Sequence, residues 1–106
     1  MTNNSLIYDD GYLKIDSQSH RVIVAGIEIV LARIEFDLLI ELMTNVGVVL
    51  KYDDLIKKIW GTEYCGARNY LHNYIYTLRR KIEPDPKNPG YIITIPKSGY
   101  RFNSHL

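Results

Sequence analysis

Over residues 67–83 the chain places Leu71, Ile75, Leu78 and Ile82 four, three and four positions apart, and it then runs into a segment, 84–90, holding three prolines and a glycine. The spacing lines one face of an α-helix, and the proline-rich segment cannot continue it, so the chain must turn there. Tyr74 flanks the apolar stripe. The far side collects Asn69, Asn73, Tyr76 and Arg80, with His72 and Thr77 at its edges. A helix buried on one face usually shows carboxylates and lysines to water. This one shows side chains able to reach base edges and phosphates, although a plain solvated helix carrying some arginines reads the same way in isolation.

The rest of the chain supplies the frame for that helix. Residues 6–30 alternate short β-branched runs (6–8, 12–15, 21–24, 27–30) with turn residues, the pattern of an antiparallel meander. A first helix is predicted over about 33–44, with Ile34, Phe36, Leu38, Leu39, Leu42 and Met43 inward, Glu35, Asp37 and Glu41 to water, and Gly47 as its C-cap. Residues 48–50 read as a connector. A second helix follows over about 52–60, with Asp53 and Asp54 favourable in its first turn, Leu55, Ile56, Ile59 and Trp60 inward, and Gly61 stopping it.

Two helices joined by a short loop, the second carrying Arg, Asn and Tyr outward, form the helix-turn-helix plan. Beyond the prolines, residues 91–95 read as a strand, 96–99 as a tight turn with Pro96 at its first corner and Gly99 at a left-handed position, and 100–102 as the returning strand. A hairpin appended in this way is a wing, spanning about 91–103, with Lys97 at its tip and Arg101 on the return strand. The expected class is α+β: a winged helix-turn-helix with an N-terminal antiparallel β-sheet, a three-helix core and a C-terminal β-hairpin.

Its 106 residues suffice for one core and hence one domain over 1–106. Net charge of +1 argues against a nucleic-acid binder, but the distribution is bipolar: residues 1–65 hold six Lys/Arg against ten Asp/Glu, residues 66–106 seven against two. No apolar run reaches membrane-spanning length and nothing at the start resembles a signal peptide, so a cytoplasmic location and no membrane partner are expected. Cys65 has no second cysteine to pair with, and His20, His72 and His105 show no ligand spacing; neither metal nor cofactor is expected. An enzyme fails on inventory, lacking a Gly-rich phosphate loop or an ordered nucleophile–base set.

Four stretches in order, residues 34–39, 54–61, 78–89 and 98–102, resemble the winged-helix effector domain of OmpR/PhoB-type response regulators, and the similarity covers nearly the whole chain. Tyr70, Leu71, Tyr74 and residues 78–81 lean toward the KdpE-like branch, which regulates potassium uptake. The resemblance implies sequence-specific binding of double-stranded DNA at direct repeats as weak head-to-tail homodimers. It also implies a preceding receiver domain, absent from this chain, answering to a sensor kinase, and a loop between the second and third helices that touches RNA polymerase, here Thr62, Glu63, Tyr64, Cys65 and Gly66. The chain departs from the family at three places. Ala32 stands where a Ser/Thr would complete a capping box with Glu35, Lys51 occupies another usual cap position, and Pro96-Lys97 replaces the common Arg-Gly of the wing.

Candidate DNA contacts are Arg68, Asn69, His72, Asn73, Tyr76, Thr77, Arg79 and Arg80 on the helix, and Lys97 and Arg101 on the wing. Arg80, opposite the core stripe, is the candidate for guanine readout, with a phosphate contact or a solvated guanidinium as its plainer alternatives. Arg68 and Arg79, nearer the sides, fit phosphate contacts or an ion pair with an acidic neighbour. Tyr100, Phe102 and Trp60 read as core, and Cys65 as incidental. The rival from another class is a winged-helix module that binds protein without specific DNA readout.

Overall fold

A computed structural model describes residues 6–62 and 67–106. Four strands come first: β1 (Ile7–Asp9), β2 (Leu13–Asp16), β3 (Arg21–Val24) and β4 (Ile27–Ile29), paired antiparallel in the order β1-β2-β3-β4. Their period-2 pattern buries Tyr8, Leu13, Ile15 and Val22 on one face and leaves Ile7, Asp9 and Arg21 exposed. Helices α1 (Arg33–Thr44), α2 (Tyr52–Trp60) and α3 (Arg68–Ile82) follow, with a short β5 (Leu50–Lys51) between α1 and α2; β6 (Ile92–Ile95) and β7 (Gly99–Phe102) close the chain.

The stripe that defined α3 is its buried face: Leu71, Ile75, Leu78 and Ile82 are all 0 % exposed. They share one apolar cluster with Leu38, Leu39 and Leu42 of α1, Leu55 and Ile56 of α2, and Tyr91, Ile92, Tyr100 and Phe102 at the base of the hairpin. Trp60 is only partly buried and packs against Tyr74, their ring centres 5.7 Å apart.

The structure corrects four local expectations. Residues 48–50 are more than a connector, because Leu50 pairs with Tyr100 and Lys51 with Gly99, making the second sheet three-stranded in the order β5-β7-β6. Two residues are too few to show a period. Glu35 does not face water. It is buried, accepts the Ala32 N–H at 2.7 Å and meets Lys81 Nζ at 2.8 Å. Half of the capping box therefore survives, and burial, which opposes ionisation, is outweighed by Lys81, Thr77 and the Ala32 N–H, holding this carboxyl below its usual range. The C-cap of α1 is Asn45, whose side chain donates to the Glu41 carbonyl at 2.8 Å, while Gly47 lies beyond it at φ +81° and donates its N–H to the Phe102 carbonyl.

The fourth correction concerns the wing turn. Ser98 N–H closes it onto the Ile95 carbonyl at 3.0 Å, and the left-handed residue is Lys97, at φ +64°, not Gly99. With Pro96 ahead of it, this is the position where type II turns favour glycine. Gly99 is needed for a different reason: a Cβ built there would lie 1.8 Å from the Leu50 carbonyl oxygen. Lys51 gives α2 no side-chain cap, but the Tyr52 N–H donates to the Ser98 carbonyl at 3.1 Å, so the wing turn serves the helix start instead.

Asp10 ties the two sheets together. Its carboxylate accepts the Tyr12 and Leu13 N–H groups at 2.9 and 2.8 Å, and the hydroxyls of Tyr8 and Tyr91 at 2.7 and 2.6 Å. Burial raises its pKa, but those four donors outweigh it and bring the group from 3.8 to about 2. The folded value lies below the unfolded one, so the resulting stability is present above about pH 4 and is lost as pH falls through about 2. The contribution is roughly 2 kcal/mol. Urea midpoints at pH 5.5 and pH 2 are expected to differ more for the native chain than for Asp10→Asn, and equal differences would show that Asp10 is not the group responsible.

Candidate nucleic-acid interface

At 100° per residue, Asn69, Asn73 and Tyr76 lie within about 40° of Arg80 along α3. All four are exposed, as is Thr77, and the line from Asn69 to Arg80 runs about 16 Å. Tyr76 is 61 % exposed and sits under Arg80, whose guanidinium carbon is 5.8 Å from the ring centre. Among the described residues Arg80 pairs with no carboxylate. The Thr77 hydroxyl donates to the Tyr74 carbonyl at 3.0 Å and lies beside the Glu35 carboxylate of α1, at the edge of the line. Tyr70 belongs beside them at 58 % exposure. The sequence reading passed over it because its position sits off the line opposite the core stripe.

The other cations of α3 are occupied by the fold. Arg68 makes two bonds to Asp53 of α2, Nε to Oδ1 at 3.2 Å and Nη2 to Oδ2 at 3.1 Å, and lies over the Tyr52 ring. Arg79 is half-buried. Its Nε and Nη2 donate to the Ile92 carbonyl at 3.1 and 2.7 Å, Nη2 also reaches the Thr94 hydroxyl at 2.8 Å, and the guanidinium stands over Tyr100. Burial pulls the Arg79 guanidinium below its ordinary value, while burial raises the Tyr100 hydroxyl to about 12 despite the arginine beside it. Lys81 is taken by Glu35. His72 Nδ1 is hydrogen-bonded to the Tyr100 hydroxyl. Arg68, His72 and Arg79 thus join α3 to α2 and the wing, and Asn69, Asn73, Tyr76 and Arg80 form its outer line, with Thr77 at the edge.

Glu83, which sequence reasoning missed, fixes the wing from the end of the same helix. It is buried, and its carboxylate accepts the N–H groups of Gly90, Tyr91 and Ile92 at 2.8–3.1 Å. Ile92 therefore sends its N–H to Glu83 and its carbonyl to Arg79, so the C-cap residue and a last-turn side chain of α3 together satisfy the Ile92 backbone at the start of β6. The available signal was a carboxylate directly before a proline-rich turn.

On the wing, Lys97 is exposed at the tip. Arg101 is half-buried and donates from Nε to the Asn103 side-chain oxygen at 3.1 Å. Of the expected polymerase-contact loop only Thr62 falls within the described residues; Glu63, Tyr64, Cys65 and Gly66 lie outside them. Among the described residues no cluster of His, Cys, Asp or Glu is arranged to hold a metal, and no helix is long and apolar enough to cross a membrane.

The left-handed Lys97 allows stability and contact to be separated. Lys97→Gly is expected to stabilise the domain by about 0.5–1 kcal/mol in urea titration, because glycine relieves the φ cost. If Lys97 meets a phosphate, the same change weakens duplex binding and flattens its log–log salt slope by about 0.9. A loss of stability would show the turn to be held by the lysine side chain.

A family model described as "Transcriptional regulatory protein, C terminal" matches residues 26–102. The chain is 41 % identical over 98 residues to the sensory transduction protein RegX3 of Mycobacterium leprae (strain TN), covering 92 % of this chain and 50 % of that protein. It is 36 % identical over 90 residues to the transcriptional regulatory protein KdpE of Mycobacterium tuberculosis (strain H37Rv), covering 85 % and 40 %. It spans half or less of the length of these relatives. Among solved structures, the response regulator DrrB, a Thermotoga maritima OmpR/PhoB homolog, superposes with a TM-score of 0.85 at 36 % identity, over 92 % of this chain and 44 % of that one. The DNA-binding domain of Klebsiella pneumoniae RstA, solved in complex with the RstA box, gives 0.83 at 30 % identity, over 97 % and 100 %.

Proposed function

The chain belongs to the OmpR/PhoB-type family of transcriptional regulatory protein C-terminal domains, and from that premise we propose that it binds double-stranded DNA sequence-specifically as the effector domain of a two-component response regulator. The observation that carries the reading is the outer line of α3, where Asn69, Asn73, Tyr76 and Arg80 stand exposed while the helix's other cations are spent on holding the wing and α2 in place. Such a line suits a helix laid in a major groove, and the likeness to a domain solved on its DNA box supports it. Members of this family are transcription regulators, not enzymes.

The wider setting belongs to the same proposal: a receiver domain and sensor kinase upstream, head-to-tail pairing of two copies on direct-repeat DNA, a cytoplasmic site of action and contact of the loop 62–66 with RNA polymerase. Lys97, and Arg101 behind it, are assigned to the flanking backbone or minor groove. The protein-binding alternative draws on the net charge of only +1 and on the Pro96-Lys97 wing tip.

Titration with a generic duplex at low salt, followed by backbone amide NMR, separates the two. Shifts confined to residues 69–80 and 97–101 that shrink as salt rises are expected for DNA binding. Unmoved α3 amides would overturn it in favour of the protein-binding module.

A further inference from the structure

The chemistry of the outer line bears on which duplex it reads, an inference that rests on the DNA-binding reading above. A face selected for the phosphate backbone alone would present free lysines and arginines. Here the cations at the flanks are bound within the fold, and the exposed line consists of two amides, a phenol and one arginine. Asparagine can pair through two hydrogen bonds with adenine N6 and N7, and arginine with guanine O6 and N7.

Asn69 and Asn73 are one helical turn apart, about 6 Å, which corresponds to neighbouring or next-neighbouring base pairs at about 3.4 Å per step. Arg80 lies about 10 Å further along the same line. Its guanidinium is steadied on Tyr76, which favours a fixed fork over a wandering charge. The exposed rim of Tyr76 offers apolar contact suited to a thymine methyl.

We propose that the half-site recognised by this helix is asymmetric: adenine-bearing A·T pairs under Asn69 and Asn73 at the end where α3 begins, and a G·C pair under Arg80 at the end where it finishes. Specificity at the A·T end comes from neutral amides, so it persists at salt concentrations that remove non-specific binding.

The test is selection from a duplex library with a randomised core, using the native chain, Asn73→Ala and Arg80→Ala, each checked for an unchanged melting transition. The native chain is expected to enrich an A·T step followed at a fixed distance by guanine. Asn73→Ala should lower discrimination at the adenine by about 5- to 150-fold and leave the guanine preference intact, with Arg80→Ala doing the reverse. Replacing that adenine by 7-deazaadenine, which lacks N7, should reproduce the Asn73→Ala loss in the native chain. An identical motif of equal strength from the native chain and Asn73→Ala overturns the assignment. Salt-sensitive binding with no base preference overturns it too, while leaving the DNA-binding reading standing. Absence of binding to any duplex ends both.

Discussion

Glu83→Ala is expected to destabilise the domain by about 4 kcal/mol. The carboxylate accepts three consecutive N–H groups, those of Gly90, Tyr91 and Ile92, in a place where Tyr91 and Ile92 are 1 % and 0 % exposed. Removing it leaves those donors without a partner, and each orphaned buried donor costs about 1–3 kcal/mol. Glu83→Gln keeps one acceptor oxygen but turns an amide N–H toward a backbone N–H, so an intermediate loss of about 2 kcal/mol is expected. Urea titrations with an unchanged slope would measure both, since the fold lost is the same. A loss below about 1 kcal/mol for the alanine variant would mean that water reaches the 90–92 backbone and that the wing is held by Arg79 and the core alone. The functional consequence is specific: with β6 released, shifts at Lys97 and Arg101 on duplex addition should fade before those at Asn69 and Asn73.

Glu83 also shows where the sequence stops being informative. Features governed by periodicity were legible. The stripe Leu71, Ile75, Leu78 and Ile82 is the buried face of α3, the bounds of α1 and α2 match, and the four strands of the first sheet fall within a residue of their expected positions. These follow from spacings of 3.6 and 2, which local sequence must encode. The outer line of α3 was legible for the same reason, being what remains opposite the stripe. Long-range pairing was not. Arg79 and Glu83 meet Ile92 across the proline turn, Arg68 finds Asp53 on the preceding helix, and Lys81 finds Glu35 46 positions away. The sequence shows which groups are charged but not which partner the tertiary fold supplies. Of the candidate contacts on α3 and the wing, the structure leaves Asn69, Asn73, Tyr76, Arg80 and Lys97 exposed without such a tie to another element among the described residues, while Thr77, also exposed, lies beside Glu35 of α1. His72 presented a further ambiguity, since its edge position suited a groove contact equally well, yet it is hydrogen-bonded to Tyr100 on the wing.

The second large effect is expected at Gly99, where a turn reading and a packing reading part company. Were glycine there for a left-handed backbone, alanine would cost about 1–2 kcal/mol and act only on the turn. In the structure Gly99 is a strand residue paired with Lys51, and an added Cβ would meet the Leu50 carbonyl oxygen at 1.8 Å, its carbon at 2.6 Å and the Lys51 Cα at 2.9 Å. All three are backbone atoms, so no rotamer relieves the contact; β5 must separate from β7 or the hairpin must shift. Gly99→Ala is therefore expected to cost about 3 kcal/mol or more. Because β5 runs directly into α2 and the Tyr52 N–H bonds to Ser98, the displacement should spread to Leu50, Lys51 and Tyr52. Amide shifts concentrated at those three residues, with a melting temperature lowered by about 10 °C or more, are the expected result. A small loss with shifts confined to residues 96–99 would instead show that β5 is dispensable. Set beside Lys97→Gly, the two substitutions carry opposite signs two residues apart: glycine is favoured where the turn needs a left-handed residue and required where two strands approach too closely for a side chain. The wing that carries Lys97 toward a duplex is thus fixed by α3 along one edge of its sheet and by β5 along the other.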